Sequence, residues 1–79
     1  MGTRETVLKI IANNLGLNES EIKDSNTFGE DLGADSLNQI EIVMSIEEKF
    51  GIEIRDEDAD KADTVGKLIA LVETGRVKP

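Results

Sequence analysis

The sequence predicts an all-α fold: a small four-helix bundle, three main helices plus one short helix, with a long loop between helices 1 and 2. Three observations predict it. Apolar residues recur at helical spacing in three segments, and each segment is followed by a glycine. No segment alternates apolar and polar residues over the length of a strand, and the nearest approach, Ile52-Glu53-Ile54, is too short to build a sheet. A chain of 79 residues has room for one thin hydrophobic core, so residues 1–79 read as one domain.

The elements follow in order. Val7, Leu8, Ile10, Ile11 and Leu15 follow Thr3 with helical spacing, and Gly16 is a natural C-terminal stop. Residues 17–35 form a long connection with no clear helix. Leu17, Ile22, Phe28 and Leu32 recur through it and can pin it across the bundle; long ordered loops in small domains tend to be functional. A second helix runs from about Ser36 to Phe50 and ends at Gly51. Asp56 to Lys61 has length for one or two helical turns. Thr64 caps a last helix through Val65, Leu68, Ile69, Leu71 and Val72, ending near Gly75, and the tail Arg76 to Pro79 is expected to fray.

Composition removes whole classes of function. There is no Cys, hence no disulfide, thiolate metal site or cysteine nucleophile. There is no His, which removes the commonest general base and metal ligand. Seventeen Asp/Glu against nine Lys/Arg give a net charge of −8. Such a surface repels nucleic acid and anionic membranes, and basic protein surfaces are its complement. The charge is concentrated: residues 30–60 hold eleven of the acidic residues and two of the basic ones. The apolar stretches are short and broken by charge, so no membrane span is expected, and Met1 to Leu15 lack the apolar run of a signal peptide. The expected setting is cytoplasmic, or an organelle matrix or stroma for a processed form.

Ser36 stands where the second helix opens, after a turn that Gly33 permits. One reading is structural: Ser36-x-x-Gln39 has the spacing of a capping box, with the hydroxyl accepting a backbone N–H. As a nucleophile acting within this protein Ser36 is unactivated, because no His is present and the nearest Lys is Lys49 at the far end of the helix. Any chemistry on it comes from another protein, so it reads as a modification site. A helix N-terminus suits a phosphate ester there.

On a helical wheel Ile42, Val43, Ile46 and Phe50 share the core face. Leu37, Ile40 and Met44 share a different arc, rimmed by Glu41, Glu47 and Glu48. That strip either packs under the long loop, with Ile40 the first to be partly buried, or meets partners with apolar anchors inside a charged rim.

Glu30-Asp31-Leu32-Gly33-Ala34-Asp35-Ser36-Leu37, then Glu41-Ile42-Val43-Met44 and Glu47-Glu48-Lys49-Phe50-Gly51-Ile52-Glu53-Ile54, resembles an acyl carrier protein of the discrete, type II kind. The resemblance spans nearly the whole chain, from the Thr3–Leu15 helix to Thr64-Val65-Gly66, and implies a single acyl carrier domain over 1–79. It implies that Ser36 carries a 4′-phosphopantetheine arm, taken from coenzyme A by a phosphopantetheinyl transferase (the carrier's holo-synthase). The arm's thiol would hold acyl groups as thioesters; the chain itself would be non-catalytic. Asp35, Leu37, Glu41, Met44, Glu47 and Glu48 match positions that meet basic patches on ketosynthases, reductases, dehydratases and acyltransferases of fatty acid biosynthesis. Ile46, Phe50, Ile54 and Ala59 match the walls of the cavity that receives the acyl chain. A monomer is implied.

Three positions depart from the family's pattern. Asn38 and Gln39 stand where an Asp and a small Thr or Val are usual, and Arg55 replaces a frequent Pro. The departures raise a specialised carrier, serving a polyketide, lipid A or another dedicated acyl pathway, as the alternative. An unmodified acidic interaction module explains the charge but not the Asp-Ser-Leu frame. A calcium loop beginning Asp56-x-Asp58-x-Asp60 fails, because Lys61 and Lys67 stand where Gly and Glu are required, and no metal site is assigned.

Overall fold

The computed structural model describes residues 2–74. Its helices are α1 (Thr3–Leu15), α2 (Ser36–Phe50), α3 (Asp56–Lys61) and α4 (Val65–Thr74), so the four expected helices stand within the expected bounds. The described residues contain no strand, only an isolated bridge between Thr27 and Thr64. The expected end of the last helix near Gly75 and the fraying of Arg76 to Pro79 lie outside the described residues.

α1 and α2 terminate at Gly16 and Gly51, both left-handed. α1 packs against α2 and α4, and α3 packs against α4. Val7 and Ile11 of α1, Ile42 and Ile46 of α2 and Val65 of α4 meet at the centre and are fully buried. Fully burying one such aliphatic side chain contributes about 1.5–3 kcal/mol.

The long connection is ordered by its own polar groups. It contains a short 3₁₀ turn, Glu19–Glu21, where the sequence showed no helix. The turn is clasped by the Glu21 carboxylate, which accepts the Asn18 N–H at 3.0 Å. Ile22 and Phe28 are buried in the core, and Leu17 and Leu32 pack against it, so the expected apolar pins are in place. Arg4 of α1 forms an ion pair with Asp24 of the loop. The hydrogen bond and charge of Asp24 raise the guanidinium pKa above its ordinary value.

The loop also completes α4. A helix start leaves N–H groups without intrahelical partners. Here the Asn26 carbonyl accepts from Val65 N at 3.0 Å and the Asp24 carbonyl accepts from Gly66 N at 2.9 Å. The Thr64 hydroxyl accepts from Lys67 N at 3.2 Å, which is the expected Thr64 cap. The Asp24 backbone comes so close that a Cβ on residue 66 would lie 3.2 Å from its carbonyl oxygen. The glycine of Thr64-Val65-Gly66 is therefore set by the loop at Asp24.

Candidate functional site

Residues 27–36 form a staged approach to α2. The Asp31 carboxylate accepts from Thr27 N at 2.8 Å, and the Thr27 hydroxyl accepts from Asp31 N at 3.2 Å. Ala34 N donates to the Phe28 carbonyl at 2.7 Å and closes the turn. Gly33 adopts φ 70°, the left-handed region that a residue with a Cβ enters at a cost of about 1–2 kcal/mol. Ala34 is buried in the core, so the chain anchors immediately before the helix opens.

The helix cap differs from the expected one. The N-cap is Asp35, not Ser36. Asp35 Oδ1 accepts from Asn38 N at 2.9 Å, and Asn38 Oδ1 accepts from Asp35 N at 3.1 Å. The box is Asp35-x-x-Asn38, one residue ahead of the Ser36-x-x-Gln39 spacing. A carboxylate at the positive end of the dipole is the stronger choice. Ser36 is then the first helical residue, and its hydroxyl makes no hydrogen bond among the described residues. It is exposed and unengaged.

Ser36 lines the mouth of a cleft of about 430 Å³. The floor is apolar and includes the buried residues Phe28, Ile42, Ile54, Ala62 and Leu68. The exposed residues that line it beside Ser36 are the polar Gln39, Asp56 and Asp60 and the apolar Ile40 and Met44. Of the four expected cavity residues, Ile54 and Ala59 line this cleft. Ile46 lies wholly within the core, and Phe50 packs against that core at the end of α2; neither lines the cleft. Phe28 and Leu68 do line it, although nothing in their spacing sets them apart from ordinary core.

The apolar strip is on the surface. Leu37 is 62% exposed, Ile40 55% and Met44 54%, and they are the large exposed hydrophobics of the described residues. Ile40 is no more buried than Met44, and both also line the cleft. Asp35, Glu41 and Glu48 are exposed around the strip. Glu47 is half-buried and turned to internal use: its Oε2 accepts from Ile54 N at 2.7 Å and fastens the α2–α3 connection. The departures have distinct settings. Asn38 is half-buried against α1, Gln39 is exposed at the cleft mouth, and exposed Arg55 pairs with Asp58 at 3.4 Å.

The arrangement offers one free hydroxyl, at a helix N-terminus, between an apolar cleft and an acidic, apolar-centred surface. With no His or Cys in the chain, the basic groups around that hydroxyl are carboxylates, which are weak bases for activating it. A phosphodiester on Ser36 fits the site, since the helix dipole and the first backbone N–H groups favour an anion there.

Comparison with known proteins agrees with this geometry. Residues 5–72 match the family model described as a phosphopantetheine attachment site. The acyl carrier protein of Wolinella succinogenes is 43% identical over 76 residues, which is 96% of this chain and all of that one. The solved structure of the thermally stable acyl carrier protein from Enterococcus faecalis superposes with a TM-score of 0.77 at 36% identity, covering 91% of each chain.

Proposed function

This chain belongs to the acyl carrier protein family, and from that premise we propose that Ser36 is its attachment residue, within one carrier domain spanning residues 1–79. The prosthetic group is covalent 4′-phosphopantetheine, whose thiol holds acyl groups as thioesters for the enzymes of fatty acid biosynthesis. The observation that carries the assignment is the unengaged Ser36 hydroxyl at the mouth of an apolar cleft, freed by the Asp35 cap.

The residues divide the work. Ser36 Oγ receives the phosphodiester: a P–O bond to it forms, the pyrophosphate bond of coenzyme A breaks and the nucleotide leaves. A phosphopantetheinyl transferase supplies the base that takes the hydroxyl proton, since this chain offers only weakly basic carboxylates around it. Asp35, Leu37, Glu41, Met44 and Glu48 form the surface on which that transferase and the acyl-processing enzymes dock through basic patches. Glu47 supports the same surface from the side by holding the α2–α3 connection. The cleft shelters an acyl chain, with Ile54 and Ala59 in contact and Ile46 and Phe50 behind them as packing. Each methylene moved from water into it gains about 0.8 kcal/mol. Among the described residues no helix is long and apolar enough to cross a membrane; the reading takes the protein to act as a monomer in the cytoplasm, or in an organelle matrix or stroma.

Incubation with coenzyme A and a broad-specificity phosphopantetheinyl transferase tests the assignment. The intact mass of the wild type should rise by one phosphopantetheine, and that of Ser36→Ala should not change while its circular dichroism stays helical. Loading of Ser36→Ala would show that the site is wrong.

A further inference from the structure

The start of α2 is joined to the end of α1 by a chain of side-chain amides. Asp35 N donates to Asn38 Oδ1 at 3.1 Å. Asn38 Nδ2 donates to Asn14 Oδ1 at 3.2 Å. Asn14 Nδ2 donates to Glu41 Oε1 at 3.2 Å. Asn14 and Asn38 are half-buried, while Glu41 is exposed beside the Leu37, Ile40 and Met44 strip.

The direction of this chain is forced. A backbone N–H only donates, so Asn38 must turn its oxygen to Asp35 and its NH₂ to Asn14. Asn14 must then present its oxygen to Asn38 and its NH₂ to whatever follows. The last member must offer an acceptor, and a carboxylate offers nothing else. The helix cap therefore sets the orientation of both amides and ends on a docking carboxylate. We propose that Asn14 and Asn38 are positioning residues that hold the Glu41 carboxylate in place for basic partners. The proposal rests on the reading of Glu41 as a docking residue.

The geometry explains why residue 38 is an amide. An Asp at 38 would still accept from Asp35 N, but it would require Asn14 to donate to it. Asn14 would then face Glu41 with its oxygen, two acceptors would meet, and Glu41 would be released. A surface Glu otherwise samples many rotamers, and holding it in one lowers the ordering cost of docking. The tie also lets α1, which carries none of the exposed apolar strip, influence what partners meet on α2.

The test is steady-state loading of the apo protein by a broad-specificity phosphopantetheinyl transferase with coenzyme A, with the carrier concentration varied. Glu41→Gln is the control for docking and should raise KM with kcat unchanged. Asn14→Ala and Asn38→Asp should each raise KM about threefold at unchanged kcat, the scale of an exposed charge-assisted contact. Asn14→Ala with Glu41→Gln should raise KM no more than Glu41→Gln alone, because both remove the same held carboxylate. Asn14→Asp keeps an acceptor for Asn38 and so keeps the helices tied, but cannot donate to Glu41. Its KM should also rise, although the added negative charge by itself would strengthen attraction to a basic partner; this variant serves if Asn14→Ala fails to fold. If Glu41→Gln leaves KM unchanged, the docking reading fails and the inference with it. If Glu41→Gln raises KM while Asn14→Asp does not, or if Asn14→Ala adds fully to it, docking stands and positioning is refuted.

Discussion

With Asp35 accepting the Asn38 N–H at 2.9 Å, the Ser36 hydroxyl has no part in holding the helix together. The two neighbours can therefore be separated by mutation. Ser36→Ala should change stability by no more than about 0.5 kcal/mol in urea unfolding, the scale of a surface substitution. Asp35→Ala should cost about 1 kcal/mol, because it removes a cap. Equal losses in both variants would mean that Ser36 shares the cap. The shift from Ser36 to Asp35 was not legible in the sequence for a definite reason. Asp-x-x-Asn and Ser-x-x-Gln overlap by three residues here, and both Asp and Ser are strong N-caps. The choice is made by the backbone: Asp35 is extended at φ −92°, ψ −176°, and the helix begins after it. That geometry is imposed by left-handed Gly33 and buried Ala34, neither of which advertises a cap.

At the scale of elements, the three longer helices were legible because apolar spacing and following glycines are local signals, and short α3 was legible only as a segment with length for one or two turns. The connection was legible only in outline. Ile22 and Phe28 stand out as apolar pins, but besides the bonds within the loop two of its carbonyls, of Asp24 and Asn26, accept from the start of α4, about forty residues further along the sequence. Gly66 is where that contact is tightest. Gly66→Val should push the Asp24 carbonyl away and destabilise the fold by about 1–3 kcal/mol, the range for overpacking; unchanged urea unfolding would contradict the close approach. Of the residues expected around the acyl chain, Ile54 and Ala59 line the cleft, while Ile46 and Phe50 lie in or against the core. Both pairs are apolar, and only their placement in the fold separates them. Ala59→Phe should fill part of the cleft and hasten hydrolysis of a loaded medium-chain thioester severalfold. Hydrolysis at the wild-type rate would show that acyl chains do not enter there.

For the whole molecule, the net charge of −8 acts in two opposed ways. It strains the fold by self-repulsion and draws the carrier toward basic partners, and salt screens both. Raising ionic strength should therefore raise the unfolding temperature while it weakens docking. Reversing charge at Glu41 and Glu48 together should weaken docking and flatten its salt dependence with helicity intact; wild-type partner kinetics in that variant would refute the docking surface. Acidity and the absence of His and Cys are readable from composition, whereas the exposure of Leu37, Ile40 and Met44 required the fold. The central claim is that one hydroxyl, freed by its neighbour's cap, carries the arm. The measurement that tests it most directly is fragment-resolved mass spectrometry of the protein after loading from coenzyme A, since Ser20, Ser25 and Ser45 offer competing hydroxyls. The account predicts the whole of the added phosphopantetheine on Ser36. Its appearance on any other residue, or no addition to the folded protein with a transferase that loads a control carrier, would contradict it.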